Sequence, residues 1–98
     1  MSWTFLTNHG QVLLCIARNP SMRMREIADQ VGITERAAQR IVSDLVEEGY
    51  VSRRRVGRRN EYEINPDAPL RHPLSSDHDI GDVLGVLGEP GLDPRPAA

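Results

Sequence analysis

Apolar residues recur at helical spacing through the first half of the chain, switch to alternation, and then return to helical spacing. Val12, Leu13, Ile16 and Ala17 predict a first helix running to about Arg18, buried along that face. Its start falls at Thr7 or Asn8, where Asn8 and Gln11 approximate a capping box, and Gly10 is a mild cost. Trp3, Phe5 and Leu6 precede it, either covering the core or packing on a second subunit. Asn19-Pro20-Ser21 is a break, because the residue before proline is pushed out of the α region. Met22 to Met24 then leads into a second helix and permits a very short strand on the way.

From Arg25 to Gly49 the pattern reads as two helices joined by a tight turn. Ile27, Ala28 and Val31 share one face of the first, and Gly32 stops it with a left-handed backbone. Thr34 is placed to cap the next helix. There Ala37, Ala38, Ile41, Val42 and Leu45 fall on one side, and Arg36, Gln39, Arg40, Ser43 and Glu47 on the other. Ala28 and Ala38 are small where two helices must approach closely. Tyr50 to Val56 alternates as a strand, Gly57-Arg58-Arg59-Asn60 reads as a turn, and Glu61 to Ile64 returns with Tyr62 and Ile64 on one face. A proline-rich connector over 65–76 follows. Ser76 or Asp77 then caps a last helix whose stripe is Ile80, Val83, Leu84 and Leu87. Gly88-Glu89-Pro90 stops it, and the Pro/Gly-rich remainder is expected to be disordered.

These elements predict a mainly α fold with a small β-hairpin. It has a three-helix core, a two- or three-stranded wing and a C-terminal amphipathic helix, the order of a winged helix-turn-helix. The expected divisions are a winged-helix unit over 1–64, a connector and dimerisation helix over 65–88, and a tail over 89–98. At 98 residues the chain supports one small core. Its 39% apolar and 27% charged residues suit a globular rather than a disordered chain. No apolar run approaches the roughly 20 residues of a membrane span, and the first ten residues do not read as a secretory signal, so a cytoplasmic protein is expected. Cys15 is the only cysteine, which excludes an internal disulfide, and its apolar surroundings suggest a buried small hydrophobe.

The net charge of −2 conceals a segregation. Residues 1–60 carry ten arginines against six acids, a net of +4, while residues 61–98 carry two arginines against eight acids, a net of −6. A polyanion meets the local field rather than the total. On the second helix of the pair, Arg36, Gln39, Arg40 and Ser43 can reach bases or phosphates, arginine pairing with guanine and glutamine with adenine. Glu35 can accept from cytosine or simply favour the helix start, and Thr34 lies beside it. The plain alternative is the solvated face that every surface helix carries. In the hairpin, Arg53, Arg54, Arg55, Arg58 and Arg59 crowd five like charges into seven positions, a repulsion that an anionic partner relieves. A charged edge that discourages strand pairing is the alternative. Alternation puts Arg53 and Arg55 on one face and Arg54 on the other, so the five do not all touch one ligand. The starts of the first two helices, with Arg23 and Arg25, add phosphate donors.

The residues REIADQVGITERAAQRIVSDLVEEGYVSRRRVGRRNEYEI resemble the winged helix-turn-helix domains of bacterial MarR and ArsR regulators. The segments GITERA, GRRN and PDAPLRHP are similar to those of small stand-alone winged-helix proteins of actinobacterial type. The resemblance implies a sequence-specific regulator of transcription that binds double-stranded DNA as a homodimer. Contacts are expected from Thr34, Glu35, Arg36, Gln39, Arg40 and Ser43 in the major groove, and from Arg54, Arg55, Arg58 and Arg59 on phosphates or the minor groove. Ile80, Val83, Leu84 and Leu87 are expected to join the protomers. Because some ArsR proteins sense metals, Cys15, His9, His72, His78, Asp77 and Asp79 are the residues to weigh for a site, but their spacing lacks the paired cysteines of a thiolate sensor. No metal, cofactor or catalytic residue is therefore assigned, and no phosphate loop or nucleophile motif supports an enzyme. No membrane association is expected, and the sequence does not identify a small-molecule effector. The alternative is a winged helix that docks a protein instead of DNA.

Overall fold

Thr7 turns its hydroxyl back to accept from the Gly10 N–H at 3.2 Å, and the chain winds into α1, Asn8–Arg18. Thr7, rather than an Asn8–Gln11 pair, therefore caps the helix. The computed structural model describes residues 3–87. In α2, Met24–Val31, the Glu26 carboxylate accepts from the Arg23 N–H at 3.0 Å and satisfies a donor that the first turn leaves over. Gly32, at φ +84°, ends α2, and its N–H and that of Ile33 both reach the Ala28 carbonyl. The Thr34 hydroxyl accepts from Ala37 N–H at 3.0 Å and opens α3, Glu35–Glu47.

The three helices close on Val12, Ile16, Ile27 and Val42, all fully buried, with Ala28 and Ala38 where α2 meets α3. The hairpin pairs β1, Val51–Val56, with β2, Arg59–Ile64, from Val51 opposite Ile64 to Val56 opposite Arg59. The expected four-residue turn is thus shorter. Arg59 and Asn60 are paired in β2, and only Gly57-Arg58 forms the loop. Gly57 takes φ +63°, as the first loop residue of a type II′ turn requires, which matches the twist of the strands. No third strand joins this sheet among the described residues. The lead into α2 meets β2 through a single backbone bond, Tyr62 N–H to the Pro20 carbonyl.

Beyond the hairpin the chain is sewn back onto the body. Asn65 N–H reaches the Tyr50 carbonyl, the Tyr50 hydroxyl donates to the Pro69 carbonyl at 2.6 Å, and Leu70 N–H reaches the His78 carbonyl. Burial is the main reason the Tyr50 hydroxyl is pushed to a higher pKa. Residues 72–78 form consecutive turns, so the last helix starts later than Ser76 or Asp77. Asp79 is its N-cap, α4 spans Ile80–Val86, and Asp82 accepts from the Asp79 N–H at 3.1 Å. Ile80 and Gly81 donate back to Ala68 and Pro66. Ala68 and Leu84 lie in the same buried cluster as the three-helix core, so residues 65–87 complete that core. The expected stop at Gly88-Glu89-Pro90 and the tail lie outside the described residues. Among those described, no helix is long and apolar enough to cross a membrane.

Candidate nucleic-acid interface

The amphipathic pattern of α3 turns Arg36, Gln39, Arg40, Ser43 and Glu47 outward, and all are exposed. Thr34 and Glu35 are exposed at its start, the Thr34 hydroxyl being engaged by the Ala37 N–H. A groove of about 600 Å³ runs beside this helix, with Gln39 and Ser43 of α3, Arg53, Arg58 and Arg59 of the hairpin, and Arg23 at the start of α2 among its lining residues. Cations from the hairpin and the start of α2 therefore flank the polar side chains of α3, a setting suited to a polyanion.

The register sorts the arginines. Arg53 stands opposite the buried Tyr62, on the face that looks toward the body, whereas Arg54 stands opposite Glu61 on the other face. The Arg54 guanidinium donates to Glu61 at 3.1 Å, and the hydrogen bonds from Arg54 and Ser21 hold the Glu61 carboxyl below its usual pKa. Arg54 lines a second groove, between the hairpin and Ile16, Ala17 and Pro20 after α1, and Arg53 borders that groove as well as the one beside α3. Arg55 Nε donates to the Gly57 carbonyl at 3.0 Å. Arg59 donates to the Ser21 carbonyl. Gln39, Ser43, Arg58 and Arg59 are thus brought together. Arg36 and Arg40 lie outside the groove on the same exposed face of α3, and Arg54 and Arg55 do not line it. Arg23, expected only as an added phosphate donor, and Arg53, counted in the hairpin's charge cluster but not among its expected contacts, both line the groove. Alternation could have separated Arg53 from Arg54, but not shown which side α3 occupies.

Two acids of α3 have cationic or protonatable neighbours. Asp44 lies 2.9 Å from His9 of α1, and Glu48, at the helix end, lies 3.7 Å from Arg71 of the connector. The residues weighed for a metal are dispersed. Cys15 is buried with its Sγ 3.7 Å from Gln30 Oε1, and desolvation pushes its thiol pKa up against the smaller pull of Arg18. His72 Nδ1 accepts from Leu74 N–H, and His78 sits near Asp77 and Asp82. No group of three or more His, Cys, Asp or Glu among the described residues could hold a metal ion.

The expected dimer stripe also divides. Leu84 is 2% exposed inside the protomer's own core, so it has no surface to offer a partner. Ile80 and Val83 are half-buried, while Leu87 and Val86 are exposed. Trp3 and Phe5 also face outward, stacked edge to face at 4.9 Å, and do not cover the core.

A three-helix core, a hairpin directly after the third helix and an arginine-lined groove between them define a winged helix-turn-helix. Residues 6–52 match the family model described as winged helix-turn-helix DNA-binding. The crystal structure of the zinc-dependent MarR family transcriptional regulator AdcR in its Zn(II)-bound state is similar over 66% of this chain, at 22% identity and a TM-score of 0.48. The match covers 47% of that chain, so this protein spans about half the regulator's length. No curated protein matches in sequence.

Proposed function

We propose that the protein is a sequence-specific DNA-binding transcriptional regulator, with α3 in a major groove and the wing on flanking phosphates or in the minor groove. The observation that carries this reading is the groove in which Gln39 and Ser43 face a rim of Arg53, Arg58 and Arg23. Arg36 and Arg40 extend the exposed polar face of α3 beyond that groove. Arginine can bind guanine through two hydrogen bonds, and glutamine can bind adenine likewise. Thr34 and Glu35 stand at the end of the helix that enters first. As a homodimer, the protein would set two α3 helices about one duplex turn, roughly 34 Å, apart on a near-palindromic site. Exposed Trp3, Phe5, Val86 and Leu87 supply apolar surface for such a pairing.

Fluorescence anisotropy with specific and random duplexes across a salt series tests the proposal. With about six phosphates neutralised per dimer, the log–log slope is expected near about −5. Arg40→Ala is expected to relax sequence preference, while Arg58→Ala weakens all sequences alike and flattens the slope. Affinity indifferent to salt would reject DNA binding and favour a winged helix that docks a protein.

A further inference from the structure

We infer that Glu61 is a positioning residue for DNA binding: with Ser21 it clasps the wing to the segment leading into α2 and so sets the span between the wing and α3. The inference rests on the DNA-binding reading above. A two-stranded ribbon is marginal by itself and pivots unless something fixes it. Here the fixing point is partway along β2 rather than at the hairpin base. The Ser21 hydroxyl donates to Glu61 Oε2 at 3.2 Å, Arg59 donates to the Ser21 carbonyl, and Tyr62 N–H donates to the Pro20 carbonyl at 3.1 Å. Ser21 is itself held, its N–H donating to Asn19 Oδ1 at 3.1 Å. Three residues later α2 begins, and α2 packs on α3. The clasp therefore links the wing to α3 through the body of the domain.

This division explains two of the five wing arginines. Arg54 holds the far oxygen of Glu61, and Arg59 holds Ser21, so both have partners within the chain. Arg53 and Arg58 line the groove beside Gln39 and Ser43, and Arg59 lines it too while holding Ser21. Glu61 also supplies a sign that separates positioning from simple electrostatics. A carboxylate near a polyanion site opposes binding, so deleting it should tighten DNA affinity if charge alone matters. Deleting a clasp should loosen it, because the wing and α3 then no longer reach the same duplex together.

The test uses the full chain, wild type and the variants Glu61→Ala, Ser21→Ala and Glu61→Gln, each checked for helix content by circular dichroism. Duplex DNA is titrated across a salt series, and amide exchange is followed at Tyr62. Glu61→Ala is expected to weaken binding about tenfold and to flatten the log–log salt slope by about 1 to 2, although no DNA-facing cation is removed. Ser21→Ala should do the same without altering the protein's charge, which keeps the test sound if Glu61→Ala folds poorly. Glu61→Gln retains an acceptor for Ser21 and should restore the wild-type slope. Exchange at Tyr62 should quicken in Ser21→Ala and Glu61→Ala. Equal or tighter binding by both alanine variants, or weaker binding with an unchanged slope, overturns the clasp. Unchanged Tyr62 exchange overturns the clasp even if the wild type proves not to bind DNA, whereas salt-indifferent wild-type binding overturns the DNA-binding reading and the positioning role with it, while quickened Tyr62 exchange would still uphold the clasp.

Discussion

Arg53 and Arg54 are chain neighbours on opposite faces of β1, and of the two only Arg53 lines the groove beside α3. Arg53→Ala is expected to weaken binding to every duplex and to lower the salt slope by about 1, while Arg54→Ala leaves the slope unchanged. A salt titration of both variants checks the pair. Glu61 adds a pH dependence. Its folded pKa lies below the ordinary 4.5, so its stabilising contribution is full above that value and is lost as pH falls through the lower folded pKa. The thermal midpoint of the wild type should therefore exceed that of Glu61→Gln at about pH 6, and the gap should narrow as the pH falls below 4.5. The arginine-rich composition of the hairpin was plain in the sequence. Which guanidiniums already have partners was not, because Ser21 lies 40 positions from Glu61 and no local pattern joins them.

Elements were most legible where both ends carry chemical punctuation. α3 lies between Thr34 and the left-handed Gly49, and it ends at Glu47, two residues before that glycine. Thr34→Ala removes the acceptor for Ala37 N–H and should destabilise the domain by about 1 kcal/mol in urea unfolding. Gly32→Ala meets no atom within 4 Å, so any loss, expected at about 1 kcal/mol, would come from the left-handed backbone alone. α4 was less legible. Its apolar stripe was visible, but the run of turns before it moved the cap from Ser76 or Asp77 to Asp79. In the hairpin, Arg59 and Asn60 look like turn residues by type, yet cross-strand pairing absorbs them into β2.

At the scale of the whole molecule, residues 65–87 behave as the last layer of the core. Leu84→Ala should cost about 2–5 kcal/mol, and by the same amount at every protein concentration, because the side chain packs within one protomer. For the proposed homodimer, a change at exposed Val86 or Leu87 should instead alter only the monomer–dimer balance, which sedimentation at two concentrations reads. A strongly concentration-dependent effect of Leu84→Ala would contradict its placement. The charge segregation along the chain acquires a shape at this scale. Arginines from α2 and the hairpin line a groove beside α3, while Arg71 lies beside Glu48 at the α3 end.

By itself the sequence determined the helix faces, the left-handed stop at Gly32, and the change to a hairpin after α3. Each depends on residues within a turn or a strand of one another, so periodicity and capping chemistry suffice. Tertiary structure alone decided which face of β1 looks toward the body, that Leu84 belongs to the core, and that Glu61 reaches Ser21. Those outcomes are set by packing and hydrogen bonds between distant segments, which exist only once the chain has closed on itself.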